Sequence, residues 1–284
     1  MPKQMRWSVA IDETTASWNT LQWLGQNAAD GDTVRLVTVR ERFGEAKERS
    51  TGRLTIARHL LTERRHGLRV EQEVLDGPTL GRLLDETGQA DAVVIGGRRS
   101  DRLWAAITGR VAERVIAGAR CPLVVVPERW QRTTASSILV GVEAETASAA
   151  LEYAADTVAR RGSDLVLVRA WEPPASVSPI GRVYLARDVR RWEHEGQLEL
   201  DAAIRSVSHE HPDLRMRSEL RQGRPAEVLL RGEEAAALIV IGRRHRSAIT
   251  GSIFGSVGEH LVHHSRVPVC VVPQQRDLQG TDAW

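Results

Sequence analysis

Leu238-Ile239-Val240-Ile241-Gly242 is four apolar residues closed by a glycine, and Ala92-Val93-Val94-Ile95-Gly96 reads the same way 146 positions earlier. So short an apolar run, stopped by a turn former, is the signature of a strand buried on both faces of a parallel sheet. Working outward, Gly77, Gly109, Pro122 and Pro127 meet Gly223, Gly255, Pro268 and Pro273 at that same spacing. Nearer the start of each copy the spacing becomes 131: Thr15-Ala16-Ser17 recurs as Thr146-Ala147-Ser148, and Gly31 as Gly162. Two constant offsets held across so many anchors mean that one unit is written twice. The difference of 15 places an insertion in the second copy between Gly162 and Gly223, at the Pro- and Ser-containing stretch that begins Trp171-Glu172-Pro173-Pro174.

Each copy has the same order of elements. In the second, strands are predicted at Ser137–Val142, Leu165–Val168, Arg215–Leu220, Leu238–Ile241 and Val267–Val272. Helices are predicted from Ser148 to about Arg160, from about Asp188 to Ser208, from Pro225 onward, and from Val257 to about His264. Pro225 suits a first helical turn, where its missing N–H leaves no gap. The first copy matches with strands at Val9–Ile11, Val34–Val39, Val70–Leu75, Ala92–Ile95 and Leu123–Val126. Strands alternating with helices predict parallel pairing through right-handed crossovers. The expected fold is α/β: two tandem, doubly wound domains of five parallel strands, layered like flavodoxin. The domains are expected at 1–130 and 134–275, with a polar linker over Glu128–Ser136 and a flexible tail over 276–284. In such sheets a ligand lies beyond the carboxyl ends of the strands where their order reverses, so the residues after strands one and four matter most.

The chain's 284 residues suit two domains with real cores. With 39 Lys+Arg against 37 Asp+Glu the balance argues against a nucleic-acid partner held by a broad basic face. Cys121 and Cys270 each sit in an apolar run without metal-ligand spacing, which fits a reducing compartment. No apolar stretch is long enough to span a membrane. Met1 to Arg6 lead into Trp7-Ser8-Val9-Ala10-Ile11 without the apolar segment of a signal peptide, so a cytoplasmic protein is expected. Trp18, Trp23 and Trp104 are expected in the core or at a domain contact. No Walker-type loop, no Gly-x-Gly-x-x-Gly after strand one and no nucleophile–base–acid set is present, so no catalytic residue is assigned. His263 and His264 are adjacent and so point to different sides of a helix, which favours surface or capping roles, and no metal site is expected.

The chemistry lies in the loop after the fourth strand of copy two: Gly242-Arg243-Arg244-His245, nine residues, then Gly255-Ser256-Val257-Gly258-Glu259. Glycine lets the backbone turn sharply and present N–H groups to a ligand. Ser256 can cap the next helix, whose free amides and dipole suit an anion. Such a pair of elements can cradle a di- or triphosphate, or can be turn punctuation and a cap with no ligand.

This loop, an acidic residue after strand one, Gly223-Arg224-Pro225 and a closing Val267-Pro268-Val269 together resemble the universal stress protein family over nearly the whole chain. The nucleotide-binding subclass of that family carries Gly-x-x-Gly, nine residues, then Gly-Ser or Gly-Thr. The resemblance implies an adenine-nucleotide-binding protein of stress response or signalling, holding ATP, with or without magnesium, and showing weak ATPase activity at most. It implies Gly242, His245, Gly255, Ser256 and Val257 at the phosphates, with Val142 and Glu143 near the base or ribose. It also implies pairing of the two halves through their fifth strands within one chain, and a homodimer.

The departures carry their own expectations. His245 stands where the family has its second glycine, and its imidazole either donates to a phosphate or is a solvated loop histidine. Glu143 is one methylene longer than the usual aspartate. In copy one Asp12, Gly96 and Gly109 are kept, but Arg99 replaces the second glycine and Arg110 the serine. A guanidinium there either fills the phosphate space or pairs with phosphate; the first reading makes copy one a lost site. The alternative for the whole protein is an interaction scaffold in which both sites are degenerate.

Overall fold

The computed structural model describes residues 4–41, 46–97, 109–143, 148–172, 186–243 and 255–274, with backbone alone at 109–110 and 186–188. The first copy runs β1 (Arg6–Ala10), α1 (Thr15–Asn27), β2 (Thr33–Arg40), α2 (Lys47–Arg64), β3 (Arg69–Asp76), α3 (Thr79–Thr87), β4 (Ala92–Gly97), α4 (Gly109–Gly118) and β5 (Leu123–Pro127). The second runs β6 (Ser137–Gly141), α5 (Ser148–Arg161), β7 (Leu165–Trp171), α6 (Ala186–Glu210), β8 (Met216–Gln222), α7 (Pro225–Arg231), a 3₁₀ turn (Glu233–Ala235), β9 (Ala236–Gly242), α8 (Ser256–His264) and β10 (Val269–Val272). Every expected strand is present, and α6, at 25 residues against 18 in α2, takes up part of the insertion.

The described residues form two compact units, one drawn from Met1–Thr134 with Arg243–Trp284, the other from Ala135–Gly242. In the first unit the strand order is β3-β2-β1-β4-β5-β10. The first five are parallel, and the order reverses between β1 and β4, the doubly wound arrangement. β10 joins antiparallel to β5, with Val269, Cys270 and Val271 opposite Val125, Val124 and Leu123. The closing strand of the second copy thus completes the sheet of the unit that holds the first. β5 and β10 are buried along their whole length, whereas β3 at the edge alternates between exposed and half-buried residues. Trp23 packs edge-on against Trp7 in the core, their ring centroids 6.1 Å apart. Trp18 is half-buried, and Trp104 lies outside the described residues.

One buried acid organises this core. Asp32 accepts from the Met5 amide at 2.9 Å, the Trp7 indole at 3.0 Å and the Ala29 amide at 3.0 Å, which offsets the loss of water around its charge.

The second unit has the order β9-β6-β7-β8, all parallel, reversing between β6 and β9. β8 is its outer strand, with its residues exposed or half-buried. Gly77 and Gly223, repeat anchors 146 positions apart, have φ of 137° and 135° just before α3 and α7, so their recurrence follows from a backbone that side chains rarely adopt. Both cysteines are buried and neither forms a disulfide. Burial pushes the Cys121 thiol up to about 12, helped by the charge of Asp91. Among the described residues, no helix is long and apolar enough to cross a membrane.

Candidate functional site

In copy one, Asp12 sits just past β1 and is turned onto its own loop. Its carboxylate accepts from the Thr14 amide at 2.8 Å and the Thr14 hydroxyl at 2.6 Å. Thr14 in turn caps α1 by accepting from the Ser17 amide at 3.2 Å, while the Asp12 amide donates to Ser17 Oγ at 2.8 Å. This is a local Asx-turn and cap, the use to which short polar side chains are best suited at a helix start. Glu13 beside it pairs with Arg53 at 3.0 Å, and Arg53 also donates to Thr38 Oγ1 at 3.1 Å. Gly96, at the end of β4, lies so close to α1 that a Cβ would stand 2.7 Å from the Ala16 carbonyl carbon and the Ser17 amide nitrogen. The crevice between β1 and β4 is therefore shaped by the start of α1 packed onto Gly96.

In copy two, Val142 is buried just past β6 and donates its amide to Val168 O at 2.8 Å, as Ile11 does to Val37 O at 2.8 Å. Glu143 follows, half-buried. Gly242 ends β9, which is paired in parallel with β6 through Val140 opposite Val240. Val142 and Gly242 are thus brought to the same level at the carboxyl ends of the two strands where the order reverses. Gly255, Ser256 and Val257 belong to the other compact unit. Gly255 is buried with φ 91° and is the cap position of α8. It offers no side chain, so the cap expected from Ser256 falls one residue earlier and is made without a side-chain acceptor. Ser256 is the first helical residue and is exposed, and Val257 is half-buried. His245 and Arg99 lie outside the described residues, as does the side chain of Arg110 at the start of α4.

Two residues matter in ways that local patterns did not show. Arg243, directly after Gly242, is buried and donates through Nη1 to the carbonyls of Ile116 and Ala119, both at 2.8 Å. A cation among the last carbonyls of α4 meets the negative end of that helix. His263 pairs through Nε2 with Glu113 Oε1 at 2.8 Å. Both partnerships join residues more than 120 positions apart, beyond the reach of any spacing rule.

The model of the universal stress protein family matches residues 6–127 and 135–273. The chain belongs to the universal stress protein family. Its two matches make it a tandem member. A universal stress protein of Mycobacterium bovis is 26% identical over 300 residues, covering 94% of this chain and 95% of that protein. One from Mycolicibacterium smegmatis is 28% identical over 210 residues, covering 73% of this chain and 70% of that one. The crystal structure of a universal stress protein from Archaeoglobus fulgidus shares the fold, with a TM-score of 0.69 at 17% identity over 95% of this chain and 96% of that chain.

Proposed function

We propose that this universal stress protein binds ATP through its C-terminal copy and acts in stress response or signalling as a nucleotide-responsive binding protein, with weak ATPase activity at most. Gly242, His245, Gly255, Ser256 and Val257 would serve the phosphates, and Val142 and Glu143 the base and ribose. The observation that carries the reading is Gly255, whose φ of 91° opens α8 with no side-chain cap among the described residues. The amides of the first turn of a helix have no partner within the helix, and its dipole favours an anion there. Ser256, exposed as the first helical residue, adds a hydroxyl at the same place. Val142 and Gly242, level at the reversal point of their sheet, support a ligand at the strand ends.

Copy one gives weaker support to a second site, because Asp12 is already engaged by Thr14 and the order of α1 depends on it. One site per chain is the reading we adopt. It implies pairing of the two halves within the chain, to which the antiparallel β5–β10 ladder lends support.

Calorimetric titration of the full chain with MgATP tests this. One molecule of ATP per chain is expected, and Ser256→Asp, which sets a negative charge against the phosphates, should weaken binding by tenfold or more. Asp12→Asn should leave the affinity unchanged. Absence of heat, together with no rise in melting temperature at saturating MgATP, would instead favour a scaffold with two spent sites.

A further inference from the structure

His263 has Glu259 one turn before it on α8, and the fold brings Glu113 of α4 to the same place. One donor atom from each of the three lies within 4.8 Å of the others, and His263 Nε2 stands 2.8 Å from Glu113 Oε1. Glu113 and Glu259 are themselves equivalents in the repeat, 146 positions apart, so the duplication has placed two like carboxylates together. His263 has no such twin, because Ala117 occupies its place in copy one. Two carboxylates side by side favour a cation between them. A divalent ion held there would meet both carboxylates and the imidazole nitrogen at once.

We propose that Glu113, Glu259 and His263 bind a divalent first-row transition-metal ion of the zinc type, fastening α4 to α8. One imidazole nitrogen and two carboxylate oxygens suit zinc, whereas magnesium asks for an octahedral set of oxygens. Ligands about 2.0–2.1 Å from a tetrahedral zinc stand about 3.3 Å from one another. The distances here, 2.8 Å for one pair and 4.8 Å as the outer limit, bracket that value and require only small rotations of the side chains. Glu259 and His263, four residues apart, share a helix face and can ligate together. On binding, His263 presents neutral Nε2 to the metal, its hydrogen bond to Glu113 gives way, and water takes the fourth position. The side chains of Glu113 and His263 are 22% and 28% exposed, so an ion can reach them from solvent while remaining partly shielded.

A rival pair sits beside this cluster. His260 and His264 are also four residues apart, with rings stacked at 4.1 Å between centroids. The test must therefore separate the two. The metal-free full chain is titrated with zinc chloride in excess magnesium, and with cobalt to read its visible absorption. One ion per chain is expected, with a rise in melting temperature and a tetrahedral cobalt spectrum. His263→Ala and Glu259→Gln should each weaken binding at least tenfold, and Glu259→Gln, a near-isosteric change, guards against loss of fold. The double variant His260→Ala/His264→Ala should bind as the wild type does. No zinc binding, binding kept in His263→Ala, or binding lost in the double variant would each overturn the proposal. So would an ion pair only, seen as a fall in melting temperature for His263→Ala that is the same with and without zinc.

Discussion

At Gly97 the backbone lies so close to β5 that a Cβ would stand 2.6 Å from Val125 Cγ1. At Arg243, the same point of the repeat 146 positions later, a whole arginine is buried and its guanidinium donates to Ile116 O and Ala119 O at 2.8 Å each. The end of α8 that corresponds to those carbonyls borders a cavity of about 130 Å3 lined by Gly97, Pro127, Val262, His263 and Ser265, among others. The duplication has kept the backbone and the glycine before it, while the next residue has become a filler in one copy and a gap in the other. Asp32 and Ser163, equivalent at the offset of 131, diverge in the same way. Asp32 is buried under three donors, whereas the buried Ser163 hydroxyl has no partner among the described residues.

Substitutions at these positions should rank accordingly. Arg243→Met removes two charge-assisted bonds and leaves two buried carbonyls, and we expect a loss of about 3–5 kcal/mol in urea unfolding. Asp32→Ala strands three donors and should cost about 2–4 kcal/mol, whereas Ser163→Ala should change stability by no more than about 0.5 kcal/mol. A larger loss at Ser163 than at Asp32 would reverse the comparison. Gly97→Ala should cost about 1–3 kcal/mol from overpacking against Val125, measured in the same way. Equal effects at Gly97 and Arg243 would mean that the copies had not diverged there.

One further effect is confined to alkaline pH. Burial holds the Cys121 thiol up to about 12, so folding favours its neutral form. The stability this gives is complete below the thiol's ordinary value of 9.0 and is lost as pH rises from there toward 12. Cys121→Ala should flatten the melting curve across that interval, and the native thiol should resist alkylation near pH 8. A wild-type slope unchanged by the substitution would place the alkaline loss elsewhere.

Much of this architecture was legible before any coordinates. The apolar runs ending in Gly96 and Gly242 located the central strands, and the positive φ at Gly77 and Gly223 explains why these anchors recur. The amphipathic stretch of about Asp188 to Ser208 located the long α6, while most of the loop assigned to the insertion, 173–185, lies outside the described residues. The cap at α8 was read one residue late because Ser and Gly both suit that position and only the backbone decides between them. Arg243 and the Glu113–His263 pair were not legible, since each depends on helices that meet only after folding. Their residue types, an arginine in a loop and a histidine beside another histidine, are ordinary on a surface.

A crystal structure with MgATP tests the central claim most directly, because it treats the two copies side by side. We predict nucleotide density beside Gly242 and Ser256 and none beside Asp12 and Gly96. Density at Asp12 with the C-terminal loop empty would contradict the account, as would a lattice that takes up no nucleotide at either place.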